Sequence, residues 1–213
     1  MGFRVFDLRS DITHVLVTPQ IRARFLRLEP GQVATADHSH DLGHEVFLVL
    51  AGRARFTIAG AEQELGPGQL CIALARQPHR VQVVGDEPLV MYLSVSPHVQ
   101  PTHTGHDAAG QRLPLRFAPS SAYDVKADTD TPVGELLERC VGAAGLLAAA
   151  AAQSAAALEA AAAPLRQAVA DGDEAQAGQM RSALWEGIRA SFERVHELGE
   201  AWNALAPRLG PAA

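Results

Sequence analysis

Lysine, cysteine and aromatic residues are scarce in this chain of 213 residues. Lys126 is the only lysine among 18 basic residues, there are two cysteines, and Phe, Tyr and Trp together make up 5% of the sequence. Cys71 and Cys140 are too few and too far apart in the chain to indicate a disulfide framework. The preference for arginine, together with abundant alanine, suggests a GC-rich bacterial genome.

Basic clusters and secretory segments are also missing. The net charge is −6, which argues against nucleic acid as a partner because phosphate binding needs a basic surface. Charges spread through the first 13 residues leave no apolar core of signal-peptide length. The later Ala-rich run is interrupted by Gln153, Ser154, Glu159 and Pro164, which argues against a membrane span. We therefore expect a cytoplasmic protein without a nucleic-acid or membrane partner.

The residues that are present indicate a globular protein rich in short strands. Apolar residues make up 47% and charged residues 20% of the chain, enough for a sizeable core. In residues 21–28, apolar residues alternate with Arg22, Arg24 and Arg27, which we expect on a solvated face. Gly, Pro and Asp turns separate many such runs, which favours a sandwich or closed barrel. The predicted strands are 15–17, 21–28, 45–50, 53–58, 62–65, 70–74, 80–84 and 89–96.

A candidate metal site lies between Gly31 and Gly52. His38 and His40 share one face if this piece is extended, since alternate side chains of a strand point the same way. Turn-forming residues follow, so the chain can reverse and bring Glu45 to the same place on the next strand. Two nitrogens and one oxygen that converge are a metal-site arrangement, suited to iron, manganese, nickel or zinc.

The spacing of these residues resembles the first motif of the cupin family. That motif is a glycine, His-x-His, three or four residues, Glu, six residues and Gly, and here it reads Gly31, His38, His40, Glu45 and Gly52. The second cupin motif resembles residues 65–79, a Pro-containing turn, a strand and then Pro78-His79. Gln69 stands where the family usually has Asp. The resemblance covers roughly residues 20–100.

The resemblance implies a cupin-type double-stranded β-helix, or jelly-roll barrel, with the chemistry inside it. It adds His79 as a third imidazole, so that His38, His40, Glu45 and His79 would hold one divalent transition metal, with iron favoured over Mn, Ni or Zn. Glu45 would also be the catalytic group, acting on protons. Metal affinity should fall as the pH drops through the imidazole range near ~6.5.

Residues around this site are candidates for substrate binding and support. Alternation places Phe47 and Met91 on the apolar lining. Arg76 and Arg80 could anchor a carboxylate or phosphate near the opening of the barrel. His44 should turn outward beside Glu45 and support the site from the rim. Three further histidines should lie on the surface or pack at the barrel opening, namely His98, His103 and His106.

The composition changes beyond the barrel. We expect a barrel domain over 1–117, a linker over 118–130 and an Ala-rich helical hairpin over 131–213, so the fold is mainly β with two C-terminal helices. The helices should run from Val133 to about Ala163, ended or kinked by Pro164, and from about Glu174 to Ala204. A helical pair seldom buries its apolar stripes alone, which favours packing on the barrel or on another subunit, and we expect a homodimer.

Three functions fit this sequence. The first is a metal-dependent oxidoreductase, dioxygenase-like, that acts on a small organic substrate. The second is a metal-dependent isomerase, epimerase or lyase that acts on a sugar or keto acid, with the ion as a Lewis acid. The third is a small-molecule-binding cupin without catalysis. The sequence does not separate them, because one ligand set serves many reactions.

Overall fold

A computed structural model describes residues 2–33 and 37–210. Ten strands precede two long helices, and two short 3-10 helices cover Ser120–Tyr123 and Ala206–Arg208. The strands and helices are β1 His14–Val17, β2 Arg22–Leu28, β3 His38–Ser39, β4 His44–Ala51, β5 Ala54–Ile58, β6 Ala61–Leu65, β7 Leu70–Ala73, β8 His79–Val83, β9 Leu89–Ser96, β10 Thr104–Gly105, α1 Val133–Ala170 and α2 Glu174–Leu205.

The strands form two five-stranded antiparallel sheets. One has the order β1-β2-β9-β4-β7 and the other the order β10-β3-β8-β5-β6. Strands distant in the chain are neighbours in each sheet, as in a jelly roll. The predicted cupin-type double-stranded β-helix with a C-terminal helical hairpin is therefore confirmed.

The core lies between the inner faces of the two sheets. Alternate residues of each strand point into this core. In the strand HRVQV, for example, His79, Val81 and Val83 are buried and the residues between them are exposed. Burial of these apolar side chains is the main stabilising contribution to the barrel. The buried cluster consists of Phe47, Val49, Ala54, Phe56, Leu65, Ala73, Val81, Val83, Leu89, Met91 and Leu93.

Close packing explains the glycine that ends the first motif. Gly52 has a φ of +72°, and a Cβ at this position would lie 2.3 Å from the carbonyl oxygen of Pro88. Any other residue would meet both backbone strain and a clash at this turn. Gln69, at the position of the usual Asp, accepts a hydrogen bond from the Gly66 N–H at 2.7 Å and so closes its own turn.

Cross-strand register brings β2 and β4 to opposite sides of β9. Arg22 pairs with Val95, and Val95 pairs with Glu45, so all three occupy one row on the inner face of the sheet. Arg24 lies in the next row inward. The expectation of a solvated face for these arginines is therefore wrong for Arg22, which is 5% exposed, and for Arg24, which is partly buried.

The chain divides into two compact units. Residues up to Asp128, together with the segment that begins at Ala206, form the first unit, and Thr129–Leu205 form the second. Residues 118–130, expected as a linker, begin with structure that belongs to the first unit. Tyr123 is buried, and the Asp124 carboxylate accepts hydrogen bonds from Thr13 Oγ1 at 2.6 Å and from the His14 N–H at 3.0 Å.

The second unit is an α-helical hairpin with little buried surface. Pro164 lies inside α1 and does not end it, contrary to the boundary expected near Ala163. The helices meet where Ser154 Oγ donates to the Gly187 carbonyl at 2.8 Å, and Leu136, Cys140 and Leu205 form a small core. By length and composition alone, α1 is a candidate membrane span. Most of its apolar residues lie on the surface of this unit.

Candidate metal centre

Four side chains distant in the sequence meet at one end of the barrel. His38 on β3 pairs directly with His79 on β8, and His40 follows immediately after β3. Glu45 is the second residue of β4 in the facing sheet, where alternation turns its side chain inward. All four are almost fully buried, with exposed fractions between 2% and 9%.

The donor atoms converge on the Glu45 carboxylate. Its Oε2 lies 2.8 Å from His40 Nε2, 2.9 Å from His79 Nε2 and 3.8 Å from His38 Nε2. One ligand atom from each of the four residues falls within 4.8 Å of all the others. Such a cluster of three nitrogens and one oxygen can hold a metal ion.

Backbone carbonyls fix the tautomer of two of the imidazoles. His79 Nδ1 donates to the Gln77 carbonyl at 2.9 Å, and His40 Nδ1 donates to the Thr102 carbonyl. Because a carbonyl oxygen only accepts, Nδ1 carries the proton, and Nε2 presents a lone pair whenever the ring is neutral. Two lone pairs then face one carboxylate oxygen, an arrangement that is repulsive unless a cation lies between them.

The charge state of the cluster suits a cation. Burial by itself would raise the pKa of Glu45, but the three imidazoles around the carboxylate hold that pKa well below its usual range. Burial lowers the pKa of His38, which favours the neutral ring at pH 7. An ionised carboxylate and neutral imidazoles are the protonation states that bind metal.

The spacing of the donors also fits one ion. Ligands at adjacent positions of an ion with bonds of ~2.1 Å lie ~3 Å apart, close to the contacts that Glu45 Oε2 makes with His40 and His79. Four protein ligands leave positions open on a six-coordinate ion. The residues therefore fit a divalent transition metal, and its identity is not determined by the ligand set.

A hydrogen-bonded chain of polar side chains borders the cluster. The His103 ring centroid lies 5.0 Å from that of His38 and 4.9 Å from that of His40. His103 Nδ1 is 2.9 Å from Thr102 Oγ1, which is in turn 2.9 Å from the Tyr123 hydroxyl. Burial lowers the pKa of His103 to about 2, so this ring is neutral beside the site. It is part of the wall of the site, rather than a surface residue.

Comparison with known proteins agrees with this geometry. Residues 24–96 match the Cupin_2 family model, described as a cupin domain, and this span includes all four residues of the cluster. The chain contains a cupin domain. No curated protein sequence matches the chain.

Solved structures similar to this cupin include an uncharacterized conserved protein with a double-stranded beta-helix domain from Klebsiella pneumoniae subsp. pneumoniae. That match has 25% identity, covers 45% of this chain and 91% of the other, and has a TM-score of 0.42. KdgF from Halomonas sp. matches with 25% identity, 41% and 78% coverage and a TM-score of 0.37. The DMSP lyase DddQ from Ruegeria pomeroyi DSS-3 matches with 21% identity, 41% and 44% coverage and a TM-score of 0.37.

The two predicted apolar substrate contacts lie at different depths in the cupin barrel. Phe47 is next to the cluster, with its ring centroid 5.7 Å from that of His79. Met91 pairs with Val49, which follows Glu45 by four residues on β4, or ~14 Å at ~3.4 Å per residue. Met91 is fully buried in the core, so its expected role as a substrate contact beside the metal cluster is not supported.

The predicted anchors Arg76 and Arg80 are both exposed. On β8, Arg80 alternates with His79 and therefore faces away from the cluster, where it pairs with Glu62 at 3.4 Å and Asp37 at 3.8 Å. The backbone N–H of Arg76 donates to the His40 carbonyl at 2.8 Å. The structure thus gives Arg76 a backbone contact with a cluster residue, and Arg80 a place on the outer surface.

His44 turns outward, as alternation requires. Its Nδ1 accepts a hydrogen bond from the Ala75 N–H at 2.8 Å, which orders the turn whose next residue contacts the His40 carbonyl. His98 is buried and packs against the Tyr123 ring, with centroids 4.8 Å apart. His106 Nε2 lies 2.9 Å from Ser39 Oγ, outside the cluster.

Sequence reasoning missed Arg22 as a residue of the site. Its Nη2 donates to Glu45 Oε1 at 3.5 Å. The imidazoles of His40 and His79 contact the other carboxylate oxygen, Oε2. The sequence did contain a pattern that predicts this position: Arg22 and Arg24 occupy the even-numbered positions of the strand, as Leu26 and Leu28 do. Residues that alternate with an apolar pair on one strand share its inward face.

Proposed function

We propose that this protein is a metal-dependent cupin enzyme that oxidises a small organic substrate with dioxygen. The observation that carries the metal is the convergence of Nε2 of His40 and Nε2 of His79 on one oxygen of Glu45. When bound there, iron would supply the redox chemistry and adjacent open positions for substrate and dioxygen. Manganese, nickel and zinc are alternatives for the same ligand set.

The protein's own residues hold and enclose the substrate. Phe47 supplies an apolar wall beside His79, which excludes water from the reacting end of the substrate. Glu45 is ionised and buried, so it can accept a proton or a hydrogen bond from a bound substrate. The carbonyls of Thr102 and Gln77 keep two imidazoles oriented through the reaction.

A second reaction class is favoured by the chain from Tyr123 through Thr102 to His103. Hydroxyl groups and an imidazole in hydrogen-bond contact can move a proton along the wall of the site. This arrangement suits a metal-dependent isomerase, epimerase or lyase acting on a sugar or keto acid. A binding function without catalysis needs no such chain.

The test begins with elemental analysis of protein purified without added metal. The protein is then reconstituted with Fe²⁺ without oxygen and exposed to air with a panel of aromatic and sulfur-containing acids. Oxygen uptake that depends on one of these acids supports the oxidoreductase. Turnover of sugars or keto acids with Mn²⁺ or Zn²⁺, and without oxygen uptake, supports the second class. Full metal loading with no turnover of either panel would overturn both.

A further inference from the structure

Two arginines lie inside the barrel near the candidate metal centre. Arg22 is 5% exposed, and Arg24, two residues further along β2, points to the same side of the sheet. Arginine is rarely buried without a partner, because removing a charged group from water is costly. The position of these residues therefore needs an explanation beyond packing.

The hydrogen-bonding capacity of both guanidinium groups is incompletely used. Arg22 Nη2 reaches Glu45 Oε1 at 3.5 Å, at the outer limit of a hydrogen bond. The Nε atoms of Arg22 and Arg24 are buried and have no hydrogen-bond acceptor within residues 2–33 and 37–210. Buried N–H groups of charged side chains without an acceptor are expensive, so these donors favour the binding of an acceptor.

The carboxylates nearby do not balance this charge. Glu45 and Asp124 are the acidic groups that act on Arg24. Asp124 Oδ2 already accepts hydrogen bonds from Thr13 and from His14, and Glu45 Oε2 faces the imidazoles. With a divalent cation in the cluster, two arginines and the ion exceed two carboxylates by two positive charges. Such a site favours an anionic ligand.

The surroundings of Arg22 hold its guanidinium in place. The Tyr123 ring centroid lies 5.7 Å from the Arg22 Cζ. Arg22 and the imidazoles of His40 and His79 contact different oxygens of the Glu45 carboxylate, so the guanidinium lies one carboxylate away from the proposed metal position. An anionic group that binds beside the metal would therefore lie near Arg22.

We propose that this site takes an organic carboxylate, and that Arg22, assisted by Arg24, anchors the carboxylate group beside the metal. A planar guanidinium matches the two oxygens of a carboxylate, and the apolar wall favours a carbon body over a phosphate ion. This inference rests on the proposed function, because it names the substrate class of the same site. Arg22 is a substrate-binding residue in this account, and no proton transfer is assigned to it.

The test compares benzoate with benzamide, its neutral isostere, in calorimetric titrations of the Zn²⁺-loaded protein. We expect Arg22→Gln to weaken benzoate binding at least tenfold and to leave benzamide binding unchanged. Arg24→Gln should weaken benzoate binding by a smaller factor. Arg27→Gln is the matched control, since Arg27 lies on the same strand, is exposed and pairs with Glu29 at 2.9 Å. It should leave both affinities unchanged.

Zinc content, measured on every variant, separates this inference from the proposed metal function. A wild type that binds no zinc overturns the metal function, while the benzoate-to-benzamide ratio still tests the arginines. An unchanged ratio in Arg22→Gln, with zinc retained, overturns the inference, as does tighter binding of inorganic phosphate than of benzoate. If Arg22→Gln does not fold, the benzoate-to-benzamide ratio is measured in Arg22→Lys and in Arg24→Gln instead. Arg22→Lys keeps the charge but removes the planar guanidinium, and Arg24→Gln removes the neighbouring guanidinium. An unchanged ratio in both variants overturns the inference.

Discussion

The cupin barrel and the helical hairpin use their side chains in different ways. The barrel buries an almost continuous apolar cluster and places charged and polar groups inside it, among them Glu45 and Arg22. In the hairpin, α1 has 38 residues, of which Leu136, Cys140 and Ala168 are buried. Buried polar groups that are not needed for packing indicate function, whereas an exposed apolar face indicates surface that something else can cover.

The contrast extends to what holds each region together. In the barrel, strands distant in sequence pair across the sheets, so loss of one interaction affects several elements. In the hairpin, contacts follow two neighbouring helices, and the surface of α2 carries ion pairs such as Arg189 with Glu186 and Arg194 with Glu197. Those charges favour water around the hairpin. Our expectation that it does not enter a membrane stays a prediction.

The largest expected effect removes the metal from the barrel. The double substitution His38→Ala and His40→Ala deletes two of four ligands, and metal affinity depends steeply on ligand number. We expect metal content, measured by elemental analysis after purification, to fall from about one ion per chain to below about a tenth. His106→Ala, which changes a histidine outside the cluster, is the control. Equal metal content in the double variant and the wild type would remove the proposed site.

The second effect concerns pH and the buried His98. Burial lowers the pKa of His98 to about 3 from its usual 6.5. Below pH 6.5, His98 therefore binds a proton in the unfolded chain but stays neutral in the folded chain. The free energy of unfolding consequently falls as the pH drops. Between pH 6.5 and 5 this amounts to about 2 kcal/mol, since one pH unit is worth ~1.4 kcal/mol.

His98→Gln should remove that part of the pH dependence. The measurement is the free energy of unfolding by urea at pH 7 and pH 5, in wild type and variant. Protonation of the metal ligands lowers stability in both proteins, so the difference between them isolates His98. A variant whose stability falls as much as that of the wild type would show that His98 does not stay neutral in the folded barrel.

These two tests address features that the sequence predicted to different extents. The His38, His40, Glu45 and His79 cluster could be predicted because strand alternation and turn residues fix which side chains share a face. The eight predicted strands follow from the same periodicities to within one residue at each end, whereas the two-residue strands β3 and β10 were not among them and Pro164 is accommodated inside α1. A proline removes one helix hydrogen bond, and the alanine-rich sequence on both sides of Pro164 has the high helix propensity that favours continuation of α1.

The contents of the barrel wall were harder to predict. The inward face of β2 was misassigned because Ala23 is buried on the opposite face, so both faces of this strand carry apolar residues. Leu70 and Ile72 are about half exposed on the edge strand β7, where Cys71 and Ala73 face inward, so an apolar residue type alone did not identify the inner face of this strand. Tyr123 reaches the site from the 3-10 helix Ser120–Tyr123, which is too short to show a periodicity that predicts its position.

A third prediction concerns the boundary between the two regions. Asp124 Oδ2 accepts three hydrogen bonds from Thr13 and His14, and these bonds hold the pKa of Asp124 below its usual range. Because the Asp124 side chain is more than half exposed, its loss should cost less than a buried charged hydrogen bond. We expect Asp124→Ala to lower the free energy of unfolding of the barrel by about 1 to 2 kcal/mol.

Lys126→Ala tests whether this effect belongs to the segment that packs on the barrel. Lys126 lies two residues further on and is exposed. Its effect on urea unfolding should be below about 0.5 kcal/mol. If both substitutions change the free energy of unfolding by the same small amount, residues 118–124 are better described as part of the linker.

The smallest expected effect concerns self-association, and it compares the exposed apolar faces of the two regions. The homodimer stays a prediction, and we propose that β7 forms its interface, because an edge strand offers unpaired backbone groups beside the exposed Leu70 and Ile72 and the exposed Leu74 that follows the strand. Ile72→Ser should weaken dimerisation by about 1 kcal/mol, or roughly fivefold in Kd, since Ile72 is already half buried in one chain. Light scattering over a dilution series measures the shift in Kd.

Phe192→Ser, on the exposed face of α2, is the control and should leave the dimer Kd unchanged. A shift caused by Phe192→Ser alone would move the interface to the hairpin, and a wild type that is monomeric at every concentration would contradict the dimer.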